Sequence, residues 1–103
     1  WKEIITALLP AGSISGAPKS SALQVIAENE PVERGPYCGI LGWVEGDRSE
    51  LSVAIRTFWT LRDSRIHFGT GAGITWGSEP ISEWEETQLK ARKLISIAGG
   101  NLE

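Results

Sequence analysis

The sequence predicts an α+β fold in which helices flank an antiparallel sheet of three strands. Segments with helical apolar spacing lie at both ends of the chain, whereas the middle holds three runs rich in β-branched and aromatic residues. Short turn-forming sequences separate these runs, which favours hairpins. The order is therefore helix, three strands, helix, and the length of 103 residues fits one domain over residues 1–103.

The N-terminal region predicts two helices. Residues 1–9 (WKEIITALL) read as the end of a helix that Pro10 stops. The loop PAGSISGAPK then leads to a second helix that starts at Pro18, because proline suits a first helical turn. This helix continues to about Glu30 and ends before Pro31.

Three strand-like segments follow, at residues 37–46 (YCGILGWVEG), 51–61 (LSVAIRTFWTL) and 65–76 (RIHFGTGAGITW). The turns around residues 46–48 and 62–64 are short enough for antiparallel hairpins. Three long apolar strands leave two open edges. We therefore expect the sheet to pair with further strands, or the chain to self-associate through these edges.

The last helix is predicted from near Pro80 to about Ala98, before the glycine pair at 99–100. Ser82 and Glu85 have the spacing of a capping box at its start. Its buried face is predicted to contain four apolar residues, Ile81, Trp84, Ala91 and Ile95.

The composition argues against several classes of protein. The net charge of −3 does not favour binding to nucleic acid. No apolar run approaches the roughly 20 residues that are needed to cross a bilayer. The single cysteine, Cys38, makes neither an internal disulfide nor a thiolate zinc site, which predicts a reducing cytoplasm. The chain has no methionine and starts as if within a helix, so we expect a fragment of a larger protein.

The loop PAGSISGAPK comes close to a phosphate-binding P-loop but lacks its spacing. Ala17 and Pro18 separate Gly16 from Lys19, whereas a P-loop has Gly-Lys in direct succession. Pro18 also removes one backbone N–H from a motif that works through such groups. This loop is therefore not a nucleotide site, although its amides and hydroxyls remain able to receive an anion.

Arg56 would stand in the middle of the second strand, with small or polar neighbours on its own face. Two interpretations remain open from the pattern. It is either an exposed arginine on the solvent face or a rigidly mounted ligand for a carboxylate or phosphate.

The third strand would place His67, Gly69, Gly71 and Gly73 on one face. Such a strip of bare backbone allows either tight packing of a helix or sheet, or close approach of a ligand. Ile74 stands where a GxGxxG motif needs its last glycine, so a dinucleotide site is excluded. His67 is predicted to be a surface or packed strand residue with no identifiable partner.

Glu83, Glu86 and Lys90 are spaced three and four apart, so they share one face of the last helix. These charges complement the helix dipole, which favours a solvated surface. Two carboxylates one turn apart are also suitable oxygen ligands for Mg²⁺. The spacing leaves both interpretations open.

Five segments, taken in order, resemble the chorismate-utilising enzymes, a family that includes component I of anthranilate synthase and of aminodeoxychorismate (para-aminobenzoate) synthase, isochorismate synthase and salicylate synthase. The segments are PAGSISGAPK, ERGPYCGILGW, SVAIRT, GAGITWGSEP and EWEETQLKA. The resemblance implies the C-terminal part of a catalytic domain with four layers, two packed antiparallel sheets between helix layers. The rest of that domain would complete the open sheet.

The resemblance also implies roles for individual residues. Glu83 and Glu86 match carboxylates that bind Mg²⁺, which in turn holds the ring carboxylate of chorismate. Lys90 matches a lysine on the same helix face and is the candidate catalytic residue. Arg56 and Tyr37 match residues that hold the enolpyruvyl carboxylate.

Three further positions follow from the same resemblance. The backbone of Gly71, Ala72 and Gly73 matches a segment that contacts a substrate carboxylate, and Ser13 or Ser15 matches a hydroxyl that faces the ring. Glu50 departs from the family pattern, which commonly has Asp there. We expect Glu50 to keep a hydrogen-bonding role.

The motifs PYCG and GTGAGITWGS are most similar to the aminodeoxychorismate synthase branch. That enzyme replaces the 4-hydroxyl of chorismate with an amino group from ammonia, which a glutamine amidotransferase subunit or domain supplies. The motifs that select the nucleophile are expected upstream, so the fragment alone is predicted to be inactive. Anthranilate, isochorismate or salicylate synthase remain alternatives within the family, and a non-catalytic α+β binding or oligomerisation module remains one outside it.

Overall fold

The computed structural model describes residues 1–100, so the last three residues of the predicted domain lie outside the described part. The chain divides into two compact units, the first over Trp1–Ala54 and the second from Ile55 onward. Helices and antiparallel strands are present, which confirms the α+β class. The strands form two separate two-stranded sheets in place of the predicted three-stranded one.

Three helices open the first unit: α1 at Lys2–Leu8, α2 at Gly12–Ser15 and α3 at Lys19–Asn29. The two predicted helices are confirmed to within two residues. Pro18 lies at the N-cap of α3, one residue before its first turn. The short α2 was not predicted; it forms a single turn inside the loop PAGSISGAPK.

The strands of the first unit are β1 at Ile40–Glu45 and β2 at Arg48–Val53, which pair antiparallel. Their two-residue connection confirms the predicted turn. The ladder continues for one more residue, because Ala54 donates its N–H to Gly39 and accepts from Cys38, both at 2.9 Å. Cys38 therefore lies in a buried turn, with φ 66°, and not within a strand.

The second unit contains β3 at Phe58–Thr60 and β4 at Ile66–Phe68, also paired antiparallel. The helix α4 follows at Pro80–Ile97, close to its predicted bounds. It ends as the sequence predicts, with the N–H of Gly100 donating to the carbonyl of Ile95 at 2.9 Å.

Two strand predictions were wrong. The second strand is not continuous over residues 51–61, because the backbone bonds of Ala54 end the first hairpin and Arg56 adopts φ 50° before β3 begins. The third strand ends at Phe68, and residues 69–75 are irregular. Glycine at alternate positions weakens a strand, which accounts for the early end.

The predictions for the surface of α4 were also partly wrong. Its N-cap is Glu79 without a side-chain hydrogen bond, so Ser82 and Glu85 form no capping box. Of its predicted apolar face only Ala91 is buried, whereas Ile81 is 76% exposed and Trp84 is 62% exposed.

Few of the described residues are buried: Cys38 and Ala54 in the first unit and Ala91 in the second. Two-stranded sheets are marginally stable without further strands or helix packing. Self-association through open sheet edges stays a prediction. Within residues 1–100 no helix combines the length and apolar character needed to span a membrane.

Candidate functional site

One face of α4 presents the three charged residues that the spacing placed together. Lys90 Nζ forms an ion pair with Glu86 Oε1, one helical turn away. Glu83 lies one turn further toward the N-terminus and is half-buried, whereas Glu86 is exposed. A lysine and two carboxylates therefore share one helix face, and both carboxylates are accessible to solvent.

Thr70, the residue before the glycine segment at residues 71–73, contacts this helix. The hydroxyl of Thr70 is 3.5 Å from the carbonyl oxygen of Thr87, a long hydrogen bond that joins the start of the segment to the middle of α4. The segment is irregular, so the predicted strip on a strand face was wrong. A Cβ atom on Gly73 would have no neighbour within 4 Å among the described residues, so packing inside the chain does not explain that glycine.

Arg56 lies in the chain segment that connects β2 to β3 and not within a strand. Its side chain is exposed, and its backbone is left-handed with φ 50°. This conformation costs a non-glycine residue roughly 1–2 kcal/mol, and such strain is concentrated at functional sites. The exposed guanidinium is accessible to an anionic ligand.

The two serines of the loop PAGSISGAPK differ in their hydrogen bonds. Ser15 donates its hydroxyl hydrogen to the carbonyl of Ala11 at 3.0 Å, as part of the α2 turn. Ser13 is exposed, and within residues 1–100 its hydroxyl makes no hydrogen bond. Ser13 therefore keeps its donor and acceptor free, whereas the donor of Ser15 is used locally.

Tyr37 is half-buried in the turn before β1. Burial, together with the neighbouring Cys38, raises the pKa of Tyr37 to about 12. The guanidinium of Arg34 lies 5.7 Å from its ring centroid, within cation–π range. Arg34 in turn holds Glu30 through two hydrogen bonds of 2.8 and 2.5 Å, which lower the pKa of that carboxyl. Tyr37 is thus a neutral phenol that can donate a hydrogen bond at physiological pH.

The sequence missed two side-chain partnerships. His67 Nε2 is 2.8 Å from Asp63 Oδ2, and its ring stacks on Trp59 with centroids 5.8 Å apart. A loop wraps Asp63 back toward β4, so strand periodicity carried no signal for this contact. Lys19 donates hydrogen bonds to the carbonyls of Ala7 and Leu9. The P-loop-like motif draws attention to this lysine in the sequence, but it does not predict these two partners.

Glu50 lies in β2 opposite Trp43. In the described part of the chain its carboxylate forms no hydrogen bond or ion pair, so its expected role stays a prediction.

The predicted metal ligands are the pair Glu83 and Glu86, which share one face of α4. No group of three or more His, Cys, Asp or Glu side chains is placed to hold a metal within residues 1–100. A pair of carboxylates still fits Mg²⁺, because this ion retains water ligands and often binds through one or two protein carboxylates plus substrate oxygens.

Comparison with known proteins places these features in a family. The model of the family described as chorismate binding enzyme matches residues 1–96. Anthranilate synthase component 1 of Neisseria meningitidis serogroup B is 43% identical over 97 residues, 93% of this chain and 20% of that protein. The component 1 protein of Acinetobacter calcoaceticus is 45% identical over 96 residues, 90% of this chain and 19% of that protein.

A relative named for another activity is the isochorismate synthase of Bacillus subtilis. It is 41% identical over 99 residues, 95% of this chain and 21% of that protein. The chain thus spans about a fifth of the length of the curated relatives it matches. No solved structure matches it.

Proposed function

Because the chain belongs to the chorismate-binding enzyme family, we propose that it forms the C-terminal part of an Mg²⁺-dependent enzyme that aminates chorismate. One observation carries this proposal. The face of α4 presents Glu83, Glu86 and Lys90 together, in a chain that the family model matches over residues 1–96. Chorismate carries two carboxylates, so a site for it needs two separate anion-holding elements.

The first element would be the carboxylate pair. Glu83 and Glu86 would hold Mg²⁺, and Lys90 would keep its ammonium group beside Glu86. When bound, the ion neutralises a substrate carboxylate and polarises the bonds near it. Lys90 is the candidate catalytic residue, because its ammonium can donate a proton to a departing hydroxyl.

The second element would be Arg56 in the second unit, and the family resemblance alone assigns the same role to Tyr37 in the first unit. A guanidinium binds a carboxylate through two parallel hydrogen bonds, and the strained backbone of Arg56 is consistent with a functional constraint. The phenol of Tyr37 is protonated at neutral pH, so its hydroxyl can donate a hydrogen bond to a carboxylate. These two residues would orient the enolpyruvyl group.

The remaining contacts would come from backbone and hydroxyl groups. The open space around Gly73 allows a ligand to approach the backbone at Gly71, Ala72 and Gly73. The free hydroxyl of Ser13 makes it the better candidate to face the ring, and Ser15 would support the loop.

For the product, we propose 4-amino-4-deoxychorismate, with ammonia from a glutamine amidotransferase subunit or domain. The motifs PYCG and GTGAGITWGS support this branch. A second candidate, anthranilate, is supported by the similarity to the anthranilate synthase component 1 proteins of Neisseria and Acinetobacter. Both reactions use chorismate and ammonia and release water. They differ in the ring position of the new amino group, and only anthranilate formation also eliminates the enolpyruvyl group as pyruvate.

The test is a product assay with the intact enzyme that contains this chain. It is incubated with chorismate, Mg²⁺ and an ammonium salt, and the products are separated by chromatography and identified by mass and absorbance. 4-Amino-4-deoxychorismate supports the first candidate and anthranilate the second. Isochorismate or salicylate would contradict the proposed amination, and absence of turnover would favour a non-catalytic module. A reaction with a chelator in place of Mg²⁺ is the control for metal dependence.

A further inference from the structure

The ammonium group of Lys19 joins the end of α1 to the start of α3. Its Nζ atom donates to the carbonyl of Ala7 at 3.0 Å and to that of Leu9 at 3.3 Å. The last carbonyls of a helix lack partners within the helix, and a cation there also complements the negative end of the helix dipole. We refer to Ala7, Leu9 and Lys19 as the Lys19 clasp.

The clasp closes a loop that has few other attachments. Within the loop, α2 is a single turn, and one turn of helix does not persist in isolation. Gly16 follows it with φ 112°, and a Cβ atom at this position would lie 2.9 Å from the Cβ of Ala22. The space between the end of α2 and the first turn of α3 therefore suits glycine at this position. The clasp fixes the two ends of the loop to each other.

We propose that Lys19 is a positioning residue that sets the place of α2, and so of the Ser13 hydroxyl, relative to the substrate. This inference rests on the function proposed above. Two of the three N–H groups of the Lys19 ammonium are used by Ala7 and Leu9. The lysine that gives the loop its likeness to a P-loop therefore bonds to the backbone and does not serve as a phosphate ligand.

The test compares four variants in the intact enzyme. Lys19→Met removes the donors and keeps the length of the side chain, whereas Lys19→Arg keeps charge and donors. Lys19→Gln keeps one amide donor and is a milder change in case Lys19→Met does not fold. Lys93→Met removes an exposed lysine of α4 outside the proposed site and is the matched control.

Two readouts are measured on each folded variant. The KM for chorismate is expected to rise roughly tenfold in Lys19→Met with a smaller change in kcat, because the loop positions the substrate. Amide hydrogen exchange at Ser15 and Gly16, whose N–H groups close the α2 turn, is expected to become roughly tenfold faster. Lys19→Arg and Lys93→Met should keep wild-type values, and Lys19→Gln should shift both readouts in the same direction as Lys19→Met.

Each of the other outcomes contradicts a specific step of the proposal for Lys19. Unchanged exchange in Lys19→Met shows that the clasp does not hold the loop. Faster exchange with unchanged KM, or activity lost only in proportion to the folded fraction, refutes a positioning role. If the wild-type enzyme does not turn over chorismate, the proposed function fails and the positioning role toward chorismate fails with it, while hydrogen exchange still decides whether the clasp holds the loop.

Discussion

The imidazole of His67 and the carboxylate of Asp63 meet across the loop of the second hairpin, with Nε2 2.8 Å from Oδ2. Asp63 also accepts the backbone N–H of Arg65 at 3.1 Å. One carboxylate thus bonds both to the loop backbone and to β4, while the ring of His67 stacks on Trp59 of β3. This arrangement links the loop to both strands of the hairpin.

The first prediction concerns the pH dependence of this contact. Slight desolvation of Asp63 acts to raise its pKa, but the bonds from Arg65 and His67 outweigh it and hold that pKa below the ordinary 3.8. A lowered pKa stabilises the fold above pH 3.8, and this contribution is lost as the pH falls through the folded value. His67 is the sole histidine, so its ring NMR signals should report the protonation of Asp63 as a transition below pH 3.8.

Asp63→Asn should abolish that acidic transition of the His67 signals, because the amide does not titrate. Asp47→Asn, in the turn of the other hairpin, is the control and should leave it in place. An acidic transition that survives in Asp63→Asn would show that another group causes it.

The second prediction concerns Tyr37, the sole tyrosine of the chain. When the phenolate is followed by ultraviolet difference absorbance, the pH titration of the folded chain should have its midpoint at about 12. The midpoint for the unfolded chain in urea should lie at 10.0. Because the folded pKa is raised, the contribution to stability is complete below pH 10 and is lost as the pH rises through about 12. Cys38→Ser should move the midpoint down, since Cys38 contributes to the shift. A midpoint near 10 in the folded wild type would contradict the assignment.

The third prediction tests the metal ligands in the intact enzyme. Glu83→Gln combined with Glu86→Gln should reduce Mg²⁺-dependent turnover by roughly 100-fold or more, because the amides carry no charge to hold the ion. Glu85→Gln changes an exposed neighbour outside the proposed metal pair and should retain activity. Circular dichroism checks that all variants fold. Mg²⁺-dependent turnover at the wild-type rate in the double variant would refute the metal assignment.

The fourth prediction distinguishes the roles of Ser13 and Ser15, which differ in their hydrogen bonds. Ser13→Ala should lower kcat/KM for chorismate roughly tenfold without loss of stability, since only a substrate contact is removed. Ser15→Ala should lower the free energy of unfolding by about 1 kcal/mol, because the bond to Ala11 is lost, and leave KM near the wild-type value. Steady-state kinetics and urea unfolding measure the two effects. The reverse pattern would assign the substrate contact to Ser15.

The fifth prediction concerns the first hairpin. A Cβ atom on Gly42 would lie 1.9 Å from the carbonyl oxygen of Glu50, and the backbone there has φ 152°. Gly42→Ala should therefore lower the free energy of unfolding by about 3 kcal/mol or more. Gly46→Asn is the control, because a Cβ there meets open space and Asn accepts the left-handed backbone. Equal urea midpoints for the two variants would show that the strands can shift apart at Gly42.

The sequence predicted those features that depend only on interactions between residues close together in the chain. The bounds of α1, α3 and α4 follow from proline, glycine and apolar spacing, and the connection at Gly46 and Asp47 follows from turn chemistry. The shared face of Glu83, Glu86 and Lys90 follows from helical geometry alone. These features depend on residues no more than a few positions apart.

The amino-acid sequence by itself determined the α+β class, the bounds of α1, α3 and α4, the family and the residues that carry its motifs. Only the tertiary structure decided that Arg56 leaves the strand with a left-handed backbone, that Thr70 reaches Thr87, and that Lys19 caps α1. The reason is physical. Alternation and helical spacing describe single elements, whereas these three features arise where the chain changes direction and where side chains meet groups at least ten residues away.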